Sequence, residues 1–142
     1  MGCRLRSRKN KYKQDIINRA LNSNSKIILP ELIDSRVNKA VNKMKTMGFN
    51  IVNLDLFHDN YTLYKNYLMN KKFTANWTNE MIDEYLSKPL VQGLLLVDDN
   101  KADALIAGSI YSTGDVIRSS IRIVGVDLES KWVSSVFFMI SP

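Results

Sequence analysis

Apolar positions along this chain alternate between helical and strand spacing, with Gly, Pro and Asn marking the changes. Tyr12, Ile16, Ile17, Ala20 and Leu21 recur at helical spacing, and Asn22-Ser23-Asn24-Ser25 breaks the run. Lys26 to Leu29 is a short apolar segment closed by Pro30, the pattern of a buried strand ending at a loop. Asp34 is placed to cap the next segment, where Val37, Ala40, Val41, Met44 and Met47 form one stripe before Gly48 ends it. Phe49 to Leu56 then reads as a second strand. Strand, helix and strand joined by short links make a βαβ unit, which implies a parallel sheet.

The middle of the chain is less regular. Tyr61, Tyr64, Leu68 and Met69 keep helical spacing, Lys71-Lys72 interrupts it, and Thr78 can cap Glu80 to Leu86. Pro89 opens an apolar run, Leu90 to Val97, whose composition permits helix or strand, and Asp98-Asp99-Asn100 reads as a loop. Ala104 to Gly108 is a further apolar strand. It leads into Ser112-Thr113-Gly114-Asp115-Val116-Ile117-Arg118, a hydroxyl-rich turn that opens a helix, and Val133 to Ile140 closes the pattern as a strand central to a sheet. The fold class this predicts is α/β, a three-layer αβα domain with a mostly parallel sheet.

The net charge of +6 changes little once it is located. Arg4, Arg6, Arg8, Lys9, Lys11 and Lys13 lie in the first thirteen residues with no acid among them. The remaining fourteen basic residues balance the fourteen acidic ones. A nucleic-acid-binding domain carries its basic face on the folded body, so a nucleic-acid partner is not expected. The basic residues are read as a solvated, poorly ordered tail over 1–14, ahead of a domain over 15–142. No run of about eighteen apolar residues is present, so no membrane partner is expected and the location expected is cytoplasmic. Cys3 and His58 are the only Cys and His, too few nitrogen and sulfur ligands for a zinc site, and no metal is expected.

Candidate chemistry concentrates after the third strand. Ser112 and Asp115 form an S-x-x-D capping pair, a sufficient structural reason for both. It does not account for Thr113, Gly114 or Arg118. Arg118 is followed at i+4 by Arg122, and like charges at that spacing repel unless they diverge or an anion sits between them. A helix N-terminus with two hydroxyls and a guanidinium one turn on suits a phosphate. Glu31 and Arg36 lie beyond the C-terminal end of the first strand, where open α/β sheets place ligands, and are further cleft candidates. Asp98 and Asp99 have no desolvating context and make a poor catalytic dyad. His58 is most simply a surface loop residue.

Three blocks taken together, the Ala104–Gly108 strand, Ser112-Thr113-Gly114-Asp115-x-x-Arg118 and Val133-Ser134-Ser135-Val136-Phe137-Phe138-Met139, resemble the phosphate acetyl/butyryl transferase family. Pro30-Glu31-x-x-Asp34-x-Arg36 extends the resemblance upstream, so that it covers roughly residues 15 to 142. It departs from the family pattern at Ser119, where proline is usual, at Arg122, where glutamine is usual, and over Leu68 to Thr74, which lacks the family's arginine and K-G-x-T glycine. The resemblance implies the first part of a two-lobed fold and a phosphate acyltransferase, read first as an acetyltransferase with its acyl-chain preference left open, with coenzyme A or acetyl-CoA and acyl phosphate or phosphate as substrates and no permanently bound cofactor. Ser112, Thr113, Gly114, Arg118, Ser134 and Ser135 become the substrate-binding candidates. The family's general base and second phosphate contact would lie beyond Pro142, so the chain on its own is expected to be an inactive fragment, pairing with the missing C-terminal portion or with its own copies. The competing reading is a non-catalytic regulatory or oligomerising module, like the related domains fused to malic enzymes.

Overall fold

The computed structural model describes residues 2–127, 129 and 133, with side chains from residue 11 onward. The expected strand at Val133 to Ile140, Ser134 and Ser135 included, lies outside the described residues apart from Val133. The chain divides into two compact units, one made of Met1–Asn24 and Val126–Pro142, the other of Ser25–Gly125. In the first, α1 runs Gly2–Ser23 as one helix. Helical backbone thus begins ten residues before Tyr12, through the stretch expected to be a disordered tail. Asn24, at φ 48°, ends it in the left-handed region that asparagine tolerates better than most residues.

The second unit is built on a parallel sheet of order β2-β1-β3, formed by β1 (Lys26–Ile28), β2 (Asn50–Ile51) and β3 (Ala104–Leu105). Ile27 pairs with Ile51 on one side and Ala104 on the other, so β1 is the central strand. Helix α2 (Ser35–Thr46) crosses from β1 to β2 and is capped by Asp34, whose carboxylate accepts from the Arg36 N–H. The βαβ unit expected from the pattern is therefore present. The second strand is shorter than expected. Beyond Ile51 the Asn53 side chain donates to the Asp55 carboxylate, and α3 (Asp55–His58) takes over where the pattern continued a strand. His58 closes that helix rather than lying in a loop.

Helices α4 (Tyr61–Met69), α5 (Asn79–Leu86) and α6 (Pro89–Asp98) follow, with a 3₁₀ turn at Lys72–Thr74. Thr78 caps α5 by accepting from the Met81 N–H, as its position predicts. Leu90 to Leu96 are all buried, Gln92 among them with its side-chain amide donating to Leu86 O, so α6 turns no side to solvent over this run. That is why periodicity could not separate helix from strand over this run. Around α6 gather Ile28 from the sheet, Phe57, Leu68, Ile82 and Leu86 from α3 to α5, and Ile123 from α7 (Thr113–Ile123).

The close seat of α6 on the sheet depends on Gly93. A β-carbon built there would lie 2.6 Å from Leu105 Cδ1 and 3.1 Å from Ile28 Cγ2, so β3 and β1 occupy the space a side chain would need. Gly93→Val is expected to destabilise the chain by about 1–3 kcal/mol through overpacking, read as a lowered urea midpoint.

Candidate functional site

The C-terminal ends of β1 and β3 lie side by side, and a buried carboxylate joins the loops that leave them. Glu31 is 3% exposed. Its Oε2 accepts the N–H groups of Gly108 at 3.0 Å and Ser109 at 2.9 Å, and its Oε1 those of Ile110 at 2.7 Å and Tyr111 at 2.9 Å. Four successive amides can converge on one group because Gly108 adopts φ 117°, a conformation that side-chain-bearing residues rarely take. The segment is an anion nest, and its anion is the protein's own. Burial is the largest single influence on Glu31 and raises its pKa, but the four N–H donors together outweigh it and hold the carboxyl below its ordinary 4.5.

A second tie supports the first. The Ser109 hydroxyl donates to Asp34 at 2.6 Å and accepts from Arg36 Nη2 at 3.0 Å, while that same Nη2 donates to Asp34 at 2.6 Å. The Arg36 hydrogen bond, followed by that of Ser109, holds the Asp34 carboxyl well below the usual carboxylate range. Glu31 and Arg36, expected near the cleft, thus fix the loop that leads to Ser112.

Ser112 is the N-cap of α7. Its hydroxyl accepts from the Asp115 N–H at 3.2 Å and donates to the Asp115 carboxylate at 2.7 Å, the local pairing expected from S-x-x-D. Thr113 and Gly114 form the exposed first turn. Arg118 reaches back to Asp115 at 3.4 Å and is largely exposed. Arg122 turns away, with its guanidinium carbon 5.6 Å from the centre of the Phe73 ring. The two arginines therefore diverge, yet both line one cavity of about 300 Å³ that also takes in Tyr85, Lys88, Leu90 and Val91. The pattern did not point to Lys88 or Tyr85. The signal for Lys88 is an absence, since the position directly before Pro89, the N-cap of α6, holds Lys88 and not Ser, Thr, Asp or Asn.

Asp98 and Asp99, expected in a polar loop, close α6 and face a different groove of about 400 Å³ beside α4. The Tyr64 hydroxyl donates to Asp99 at 2.8 Å and the Tyr67 hydroxyl to Asp98. Burial, then the Asp99 hydrogen bond, push the Tyr64 pKa up. Each carboxylate serves a separate tyrosine, so the pair is not a dyad.

This arrangement of sheet and helices is shared with a phosphotransacetylase crystal structure from Streptococcus pyogenes, at a TM-score of 0.63 and 22% identity, covering 80% of this chain and 42% of that one. The fold is therefore the α/β fold of that class. The family model described as phosphate acetyl/butaryl transferase matches residues 43–142, and the chain belongs to this transferase family. It is 27% identical to the phosphate acetyltransferase of Acetivibrio thermocellus over 92% of this chain and 46% of that protein, and 27% identical to that of Staphylococcus aureus over 82% and 43%. The chain thus spans less than half the length of these two relatives.

Proposed function

We propose that this chain supplies the N-terminal part of a phosphate acetyltransferase site, where an acetyl group passes between coenzyme A and inorganic phosphate. In this reaction the coenzyme thiolate attacks the carbonyl carbon of the acyl phosphate and a C–S bond forms. The C–O bond to the phosphoryl group breaks, and phosphate leaves with the electron pair. The protein's task is to position two anions and offset their charge. Arg118 supplies charge, and the first turn of α7, capped by Ser112, supplies the Thr113 hydroxyl and the N–H groups at Thr113 and Gly114. The observation that carries this reading is the location of the α7 N-terminus, with Arg118 in the second turn of that helix, at the end of the loop that leaves β3 and is fixed by Glu31. Among the described residues no helix is long and apolar enough to cross a membrane, and acetyl transfer from coenzyme A fits a cytoplasmic setting.

Arg118→Ala is expected to weaken coenzyme A or phosphate binding by about 1.5–3 kcal/mol, the range for hydrogen bonds to charged groups. Titration calorimetry on the whole chain measures it. Unchanged affinity in Arg118→Ala, with binding lost on deleting residues 1–13, would move the anion site to the basic segment.

A further inference from the structure

Two helix N-termini open near the Arg118 cavity, and they differ in how their amides are used. At α7 the Ser112 hydroxyl and the Asp115 carboxylate already serve each other and the Asp115 N–H. At α6 the N-cap is Lys88, which makes no side-chain cap, and the first helical residue is Pro89, which has no N–H to satisfy. The N–H groups of Leu90 and Val91, second and third in the helix, therefore have no partner within it, whereas that of Gln92 reaches Lys88 O. Both residues line the cavity, as do Lys88, Arg118 and Arg122.

The side chains around this helix end also await a partner. Among the described residues no carboxylate lies within ion-pair distance of Lys88 or Arg122. Among the described residues Asp115, bonded to Arg118, is the one carboxylate lining the cavity, so three cations meet a single anion there. Lys88 and Arg122 are held over aromatic rings instead, Lys88 Nζ 5.8 Å from the centre of Tyr85 and Arg122 over Phe73. Tyr85 is 8% exposed, and its buried hydroxyl has no hydrogen-bond partner among the described residues. Buried hydroxyls are rarely left so. An excess of two positive charges beside a helix N-terminus whose first amides have no partner within the helix matches a dianion.

We propose that the N-terminus of α6, with Lys88, Arg118 and Arg122 around it, is the binding site for a phosphoryl dianion, and that Lys88 and Arg122 are its ligands in addition to Arg118. The inference rests on the acetyltransferase reading only for the parent molecule of that dianion. The phosphoryl group sits at the α6 end of the cavity that Leu90 and Val91 line, not on the Ser112 hydroxyl, which its own cap already engages. Arg122, standing where the family has glutamine, supplies charge near the segment that lacks the family's arginine and glycine.

The test is a residue-resolved amide titration of the whole chain with inorganic phosphate and, separately, coenzyme A, against sodium chloride of equal ionic strength. Phosphate is expected to shift the Leu90 and Val91 amides, and Lys88→Gln and Arg122→Gln are each expected to weaken phosphate binding about tenfold. Shifts confined to Thr113–Asp115, with affinity unchanged in both variants, would overturn this site and leave the acetyltransferase reading intact. Phosphate shifts at Leu90 and Val91 that depend on Arg122, with no response to coenzyme A, would support the site and count against that reading. No phosphate-specific shift in either helix end would overturn the site.

Discussion

Glu31→Ala is expected to lower stability by about 3 kcal/mol, because one truncation removes the acceptor of four backbone donors. A buried donor left without a partner costs about 1–3 kcal/mol. The total falls short of four such penalties because the 108–111 segment can turn some of its amides to water once the carboxylate is gone. Glu31→Gln separates charge from shape, since it keeps an oxygen but replaces the other acceptor with an amide nitrogen that cannot accept an N–H. The sign of the pH dependence follows from the lowered pKa. A carboxylate with a folded pKa below its unfolded value near 4.5 contributes stability that is fully present above 4.5 and lost as pH falls through the folded value. Urea unfolding followed from pH 7 to 3 should show wild-type stability falling below about pH 4.5, with a shallower fall in Glu31→Gln. Equal acid slopes in the two proteins would show that the four N–H bonds do not depend on ionised Glu31.

Phe57→Ala is expected to cost about 3–5 kcal/mol, the usual range for emptying a fully buried aromatic site. Phe57 is 1% exposed, stacks on Tyr64 with ring centres 5.3 Å apart and planes 7° apart, and meets Tyr61 edge-on at 5.9 Å. It lies on a four-residue helix, too short to be stable without its packing. Removing the ring should therefore release α3 as well as open a cavity. The measurement is the urea midpoint together with hydrogen exchange of the Asp55–His58 amides. A loss under about 1 kcal/mol would mean that α4 and α6 close over the gap.

The parts of this fold that were legible in the sequence are those whose boundaries have a residue-level cause. Pro30, Asp34 and Gly48 bracket β1 and α2, and Thr78 and Ser112 announce α5 and α7 through their caps. The pattern failed at Asn53-Leu54-Asp55, where a side-chain hydrogen bond turns an apolar run into a helix without disturbing its hydrophobic spacing. It also could not choose the conformation of Leu90 to Val97, because burial on all sides erases the contrast on which periodicity depends. Within the candidate site, Arg118 and the hydroxyl turn are the residues that stand out in the sequence. The Glu31 clamp could not, since its four donors are backbone amides and Gly108 is the only letter that hints at them. The α6 end was hidden for the opposite reason, as it is defined by a cap that is missing.

Gly93 has no side chain, yet it sets a dimension of the candidate anion pocket. Lys88, Leu90 and Val91 ride at one end of α6, whereas Arg118 and Arg122 belong to α7, so the gap between the two sets is fixed by how deeply α6 rests on Leu105 and Ile28. A methyl group at position 93 would act as a shim beneath the helix, tilting or lifting the lysine and the amides away from the arginines. Ligand affinity could then be tuned from the far side of a buried helix, by a substitution that touches no ligand and alters no charge.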